Sequence, residues 1–313
     1  MTPLDNYLPS TLAPIVLFTF DRPNHTYHTL EALKRNELSN KSDLIIYSDG
    51  SRNGRDAERV RQVRNIVNAT SGFRNIKVIE RNTNYGLARN IIEGICEVCT
   101  LYDRIIVLED DIITNTYFLR FMNEALDRYA NEPRVWHISG WNAPIDPHDL
   151  RDTFFWRVMD CWGWATWANR WQYFSRNTKY LLSQWDQDKI YRFNLCGTEN
   201  FWSQVIGNHK GKLNTWAIFW YATIFERNGL CLNPVRSYVQ NIGHDGSGQN
   251  CNLNHFYETE LDAQFPVQWP CILIENPIAV KRIQQFFCRK KQSPLHHILN
   301  RLKFLILPKN SER

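Results

Sequence analysis

Residues 104–111 read Arg-Ile-Ile-Val-Leu-Glu-Asp-Asp. Four consecutive large apolar residues, three of them β-branched, carry no helical spacing and suit a strand buried on both faces. Three carboxylates follow at once, so this strand brings concentrated negative charge to one edge of its sheet. Upstream, Pro14-Ile15-Val16-Leu17-Phe18-Thr19-Phe20 is a second run of the same kind, closed by Asp21-Arg22-Pro23. Between the two lie a helical stretch over 27–36, a strand over 43–47 ending in Ser48-Asp49-Gly50-Ser51, and a charged helix over 57–68. A strand over 76–80, a loop over 81–85 and a helix over 86–100 complete the interval. Strands and helices alternating through short connections predict an α/β fold whose first 111 residues form a doubly wound, mostly parallel sheet.

Further on, the pattern predicts an amphipathic helix over 116–130, a strand over 135–139 and a helix over 215–227 stopped by Asn228-Gly229. Short strands over 230–233 and 237–240 follow, then a Pro-bearing stretch over 265–277. The 313 residues are 43% apolar and 22% charged, which excludes a disordered, collagen-like or low-complexity polymer. No apolar run approaches the roughly 18 residues that span a bilayer, and the run over 12–20 is too short and too far in for a secretory signal. A cytoplasmic protein is expected. Its eight cysteines are scattered through a chain long enough to bury its own core, and they read as free thiols.

Two anomalies stand out. From Lys281 to Arg313 there are nine Lys or Arg against one acid, so the formal +5 less this surplus of eight leaves −3 on residues 1–280. The basic stretch alternates with apolar residues, as does a helix lying on an anionic membrane; a C-terminal helix docked on the body with a solvated basic face gives the same pattern. Eleven of the twelve tryptophans fall between Trp136 and Trp220. They describe either a heavy aromatic core or a platform for sugar rings. Bases and aromatics occupy different parts of the chain, which argues against a nucleic-acid partner.

Ligands of doubly wound sheets sit beyond the carboxyl ends of the strands. Those ends carry Thr19, Asp21 and Arg22, then Asp49, then the 81–84 loop, then Glu109, Asp110 and Asp111. The absence of G-x-G-x-x-G after the first strand argues against a nicotinamide or flavin enzyme, and no P-loop sequence exists. Three adjacent carboxylates repel one another unless a cation or a helix start compensates them. Hard oxygen ligands favour Mg²⁺ or Mn²⁺. The alternative is that Asp110 or Asp111 caps the next helix or sits in a solvated turn. Asp49 can accept from a base or ribose, and Arg89, at a helix start, can offset pyrophosphate charge. A surface Asp in a turn and an Arg in a helical ion pair are the bland readings of those two.

Taken in order, Pro14 to Pro23, Tyr47-Ser48-Asp49-Gly50-Ser51, Asn84-Tyr85-Gly86-Leu87-Ala88-Arg89-Asn90 and Val107-Leu108-Glu109-Asp110-Asp111 resemble the nucleotide half of the GT-A glycosyltransferases. The chain is more closely similar to the bacterial family-2-like group related to N-acetylglucosaminyltransferase I. The likeness continues through Trp136-His137-Ile138-Ser139-Gly140-Trp141-Asn142, Cys161-Trp162-Gly163-Trp164-Ala165-Thr166-Trp167 and Asn241-Ile242-Gly243-His244-Asp245-Gly246-Ser247-Gly248, covering roughly residues 14–251. It implies a GT-A domain over 1–275, with a nucleotide-binding half (1–111) and an aromatic-rich acceptor half (112–275), followed by a basic amphipathic tail over 276–313. The implied activity is that of an inverting, metal-dependent hexosyltransferase. It would move a sugar from a nucleotide-diphosphate donor, most often a UDP-sugar, to a glycan or lipid-linked glycan in bacterial surface polysaccharide synthesis. The tail would rest on the inner membrane leaflet.

By position, the resemblance places Arg22 and Asp49 on the nucleotide, with Thr19, Asp21 and Asp110 beside them and Arg89 nearby. Glu109-Asp110-Asp111 would be the D-x-D equivalent, Asp111 touching Mn²⁺ or Mg²⁺ directly, Glu109 assisting, and His244 adding a metal or diphosphate contact. Trp141, Trp162, Gly163 and Trp164 would shape the sugar and acceptor pocket. An inverting displacement also needs a carboxylate base for the acceptor hydroxyl. The family pattern puts an acid at position 214 and a basic residue at 219, where this chain has Asn214 and Phe219. Glu199, Asp160 or Glu226 would then replace the base, with Glu199 favoured because it precedes Phe201-Trp202. Otherwise the chain is a catalytically weakened GT-A-like nucleotide or glycan binding protein.

Overall fold

A computed structural model describes residues 11–246 and 256–292. Apart from a 3₁₀ turn over Ser39–Lys41, strands and α-helices first alternate strictly: β1 (Ile15–Thr19), α1 (Pro23–Lys34), β2 (Asp43–Ser48), α2 (Gly54–Asn68), β3 (Asn75–Glu80), α3 (Leu87–Cys99) and β4 (Arg104–Glu109). All four strands are parallel and lie in the order β3-β2-β1-β4. Every residue of β1 and the central four of β4 are buried, which is why both read as unbroken apolar runs. The edge strand β3 exposes Asn75, Lys77 and Glu80.

The chain continues through β5 (Ile112–Thr114), α4 (Phe118–Arg128), β6 (Val135–Ser139), β7 (Thr153–Trp156), β8 (Trp164–Trp167) and α5 (Ala168–Trp171). Then come α6 (Thr178–Gln184), α7 (Gln187–Phe193), α8 (Trp202–His209), α9 (Ala217–Glu226), β9 (Leu230–Pro234), β10 (Val239–Asn241) and α10 (Pro277–Gln292). Four of these strands extend the sheet to β3-β2-β1-β4-β8-β6-β9-β7, with only β8 and β7 running against the rest. A small antiparallel sheet pairs β10 with β5. The α/β, mostly parallel fold is the one the sequence leads to. Patterning places no strand within 154–174, yet β8 sits there between β4 and β6, its Trp-Ala-Thr-Trp buried on both faces.

Nine of the eleven clustered tryptophans are buried, so most of the cluster is core. Trp164 stacks between His137 at 5.2 Å and Trp216 at 5.3 Å. His137 is fully buried, and the Trp220 indole N–H, which can only donate, points at its Nδ1 at 3.3 Å. The proton therefore sits on Nε2, which donates to the Asp160 carbonyl at 3.0 Å. Burial holds this ring neutral, its pKa lowered to about 3.

Helix α10 docks on the body through Ala279, Ile283 and Phe286 and leaves Lys281 and Arg289 exposed. Asn276 Oδ1 caps its start by accepting from Ile278 N at 3.0 Å and Ala279 N at 3.1 Å. Of the two expectations for the basic stretch, the docked helix describes residues 277–289, while 293–313 lie outside the described residues. Among the described residues no helix is long and apolar enough to cross a membrane, and the seven described cysteines are free.

Candidate functional site

Beyond the carboxyl ends of β1, β2 and β4 lies a cavity of about 290 Å³. The order β2-β1-β4 makes this the topological switch point of the sheet, where the connections on either side of β1 part and leave a crevice. Its walls are the 18–22 segment, Asp49 and Arg52, the loop into α3, the triplet Glu109-Asp110-Asp111, Cys161 and Trp162. Gln204, the 214–217 segment and Asn241 complete the lining.

Parallel register sets Phe18 beside Glu109, so the residues after β1 and β4 emerge together. Arg22 bridges the triplet: its Nη2 lies 2.5 Å from Asp110 Oδ1 and 2.8 Å from Asp111 Oδ2. Burial pulls the Arg22 pKa down, but Asp110 and Asp111 outweigh it, and the guanidinium is held charged. Asp110 Oδ2 also accepts from Phe20 N at 3.2 Å. Burial raises the Asp110 pKa against the opposing pull of Arg22. The Glu109 carboxylate has no hydrogen-bond or ion-pair partner among the described residues. Burial, then Asp111 and Asp110, push its pKa up to about 8. Asp111 is approached by backbone, with Ile242 N donating to its carbonyl at 2.9 Å. A Cβ on Gly243 would fall 2.1 Å from its Oδ2 and would displace the Asp111 carboxylate.

These residues suit a divalent cation. Three carboxylates share one guanidinium, Arg22, which touches Asp110 and Asp111 and acts on Glu109 only at longer range. Among the described residues no three His, Cys, Asp or Glu side chains converge as a ready-made metal cluster. Mg²⁺ is usually held by one or two carboxylates together with water and substrate phosphates. Both ring nitrogens of His244 are buried without a partner among the described residues. The ring packs on Tyr257 and against the edge of Trp162, one residue from the Gly243–Asp111 contact.

The remaining nucleotide candidates separate. Asp49 lines the cavity, but its acceptor sites are taken. Oδ1 accepts from Gly50 N and Tyr85 N, and Oδ2 from Gly86 N and the Asn84 side chain. It clamps the 84–86 loop to the end of β2. Asp21 lines the cavity with its carboxylate paired to Arg59 at 2.7 Å and Arg52 at 3.5 Å. Thr19 lines it with a buried hydroxyl that has no partner among the described residues. Arg89 does not reach it: the side chain is 57% exposed and pairs with Glu93 at 2.7 Å along the helix, because its helical position turns it outward. Arg52, unmarked by any motif, lines the cavity and lies over the Phe20 ring at 4.9 Å.

Only Trp162 of the expected aromatic set lines the cavity. Trp141 is buried edge-on behind it at 4.8 Å, and Trp164 is core. Gly163 supplies the turn between them, with φ +61° and no room for a Cβ against Val239. Asp160 adjoins the wall formed by Cys161 and Trp162 and is near enough to Glu109 to raise its pKa. Its own carboxyl is pushed up to about 7 by burial, against the opposing bond from Trp162 N at 2.8 Å. Glu199 does not line the cavity; one carboxylate oxygen is buried without a partner among the described residues. The neighbouring Trp202 that favoured it stacks on Trp185. Glu226 is held elsewhere, by Trp185 Nε1 at 2.8 Å and Lys189 at 3.2 Å. Asn214 does line the cavity, and its Oδ1 accepts from Arg176 at 2.9 Å. That guanidinium lies 5.4 Å from the Phe219 ring centroid. A positive charge thus stands beside positions 214 and 219, supplied from 38 residues upstream, and no sequence spacing signals it.

No protein-family model matches the chain, and no curated protein matches it. Among solved structures it is similar to the mannosyltransferase PcManGT from Pyrobaculum calidifontis, a structure in complex with GDP-Man and Mn²⁺. The identity is 10%, with 70% of each chain covered and a TM-score of 0.40. It is also similar to S. aureus TarS 1-349, at 9% identity over 75% of this chain and 62% of that one, with a TM-score of 0.43. A longer TarS structure matches at 14% identity over 38% of this chain and 20% of that one, with a TM-score of 0.28.

Proposed function

We propose that this chain is a nucleotide-sugar glycosyltransferase that inverts the anomeric centre, with a divalent cation, Mn²⁺ or Mg²⁺, at the donor site. The observation that carries the proposal is the convergence of Glu109, Asp110, Asp111 and Arg22 on a single cavity at the switch point of the sheet. Glu109 and Asp111 would hold the cation, with His244 at hand. Bound there, it would act as a Lewis acid toward the departing diphosphate. Arg22 and Arg52 add fixed positive charge where the phosphates would lie. Trp162 offers an aromatic face to the sugar or acceptor. Asp160 is the base favoured by position: it would take the proton of the acceptor hydroxyl as that oxygen bonds the anomeric carbon and the bond to the diphosphate breaks.

A UDP-sugar donor, a glycan or lipid-linked glycan acceptor and a role in bacterial surface polysaccharide synthesis belong to the same proposal. So do the kinship with the N-acetylglucosaminyltransferase I group, the 1–275 and 276–313 division, and the resting of the tail on a membrane. The quoted motifs support the donor, the acceptor and the kinship, and the alternation of bases with apolar residues beyond Lys281 supports the tail. The second reading, a nucleotide or glycan binding protein without turnover, is favoured by one observation: Asn214 stands in the cavity wall where the family pattern has its base.

A melting-temperature panel of UDP, GDP, CMP and dTDP with Mn²⁺ should single out one nucleotide. Donor turnover should then fall by roughly a hundredfold or more in Asp111→Asn and Asp160→Asn. A nucleotide-induced shift without turnover in the wild type selects the binding protein. No shift with any nucleotide contradicts both.

A further inference from the structure

We propose that the edge of the molecule opposite the nucleotide cavity docks on an anionic lipid bilayer, inserting Ile272, Ile274 and Ile278 and seating lipid phosphates in an adjacent basic cleft. The three isoleucines fall within seven consecutive residues and are 66%, 55% and 41% exposed. Isolated exposed apolar residues are ordinary, but three in one short segment are not. The segment is also pinned. Arg157 Nε holds the Glu275 carboxylate at 2.9 Å and 3.0 Å, Asn276 N donates to the Phe155 carbonyl at 2.8 Å, and Leu273 packs on the core. The backbone is thereby fastened over 273–276, with exposed Ile274 between the fastenings and exposed Ile272 and Ile278 flanking them.

Ile274 also lines a cleft of about 530 Å³ together with Arg134, Arg157, Lys189 and Arg192. Glu275 and Glu226 neutralise Arg157 and Lys189. The Arg134 and Arg192 guanidiniums are exposed and form no ion pair among the described residues, although Arg134 N donates to Glu132 Oε1 at 3.1 Å. The cleft opens at the start of β9, whose Leu230 pairs with Val135 at the start of β6. Both strands run with β4, so this edge lies at the far end of the sheet from Glu109. Exposed Lys281 follows in the first turns of α10, and the sequence continues into the basic 281–313 stretch. Apolar side chains beside unpaired cations are the signature of a surface that sinks into the headgroup region of anionic lipid. The charge selects anionic lipid over a neutral surface. The proposal does not rest on the donor chemistry, and it adds a docking face on the body to whatever the tail contributes.

The test is flotation of the full chain with vesicles of phosphatidylglycerol and phosphatidylcholine, and with phosphatidylcholine alone. Wild type should float only with the anionic vesicles. The double variants Ile272→Ser/Ile274→Ser and Arg134→Glu/Arg192→Glu should each bind roughly tenfold more weakly or worse, with unchanged melting temperature and nucleotide response. Equal flotation of wild type and both variants overturns the proposal, as does indifference to phosphatidylglycerol. Inorganic phosphate that raises the melting temperature of wild type alone, without flotation, would assign the cleft to a soluble anion and also overturn it. So would self-association abolished by the isoleucine variant without flotation, which would name a second copy as the occupant.

Discussion

Replacing Asp49 by asparagine separates a loop clamp from a ligand contact. Oδ1 accepts from Gly50 N at 2.9 Å and Tyr85 N at 2.8 Å, while Oδ2 accepts from Gly86 N at 2.9 Å and Asn84 Nδ2 at 3.1 Å. An asparagine keeps one acceptor oxygen and turns an NH₂ group toward two donors, so two of the four bonds are lost whichever way the amide faces. A hydrogen bond to a charged partner contributes about 1.5–3 kcal/mol. Two of them, with part of the loss recovered as the 84–86 loop relaxes toward water, amount to about 3 kcal/mol. Asp49 is only 4% exposed, so water cannot readily replace the lost acceptor. Urea unfolding followed by circular dichroism should give Asp49→Asn a lower midpoint with an unchanged slope. A variant within about 0.5 kcal/mol of wild type that has nonetheless lost its nucleotide response would refute this reasoning. The carboxylate would then belong to the ligand and not to the loop.

His137 should make the protein acid-sensitive: an unfolded chain takes up a proton near 6.5 that the buried ring, held to about 3, refuses. Stability therefore falls as pH drops through that window, by up to about 1.4 kcal/mol per unit for one proton; His137→Asn should show a shallower pH dependence of urea stability, and identical slopes would count against it. Asp160 works in the other direction. Its carboxyl, raised from 3.8 to about 7, keeps a proton in the folded state that the unfolded chain releases, so stability falls as pH rises between those values. Asp160→Asn, which can still accept from Trp162 N, should gain about 2 kcal/mol at pH 8, half of the full linkage because the site is partly open to water, while losing transfer. A destabilised Asp160→Asn, or one that still turns over, removes Asp160 from the role of base. Gly243→Ala, whose Cβ meets Asp111 Oδ2, should abolish the manganese-dependent part of nucleotide binding measured by calorimetry; wild-type affinity would mean that Asp111 does not face the ligand.

What the sequence discloses is what depends on burial. β1 and the central four residues of β4 form unbroken apolar runs because they are buried between neighbouring strands, so their limits and the acid triplet at the end of β4 are visible as letters. β8 is equally buried, but Trp-Ala-Thr-Trp is too short and too aromatic to separate from the packed tryptophans around it. Site residues follow the same division. Glu109 to Asp111 and Arg22 lie next to legible strands and line one cavity. Asp49 is legible as a strand-end acid, but its use depends on a loop 36 residues away folding over it. Arg52 and Arg176 take their places through side-chain reach from a turn and from the residue before a helix cap, which no local pattern encodes. Glu199 was attractive beside Phe201-Trp202, yet those rings face Tyr221 and Trp185 in the core, away from the cavity.

Calorimetric titration of UDP or GDP, with and without Mn²⁺, into wild type and a Glu109→Gln/Asp111→Asn variant asks most directly whether the triplet grips a nucleotide diphosphate through a cation. The expected result is binding by wild type that tightens when Mn²⁺ is present and a variant that gains nothing from the metal. Equal metal enhancement in both proteins, or no nucleotide binding by wild type under any condition, would contradict the account.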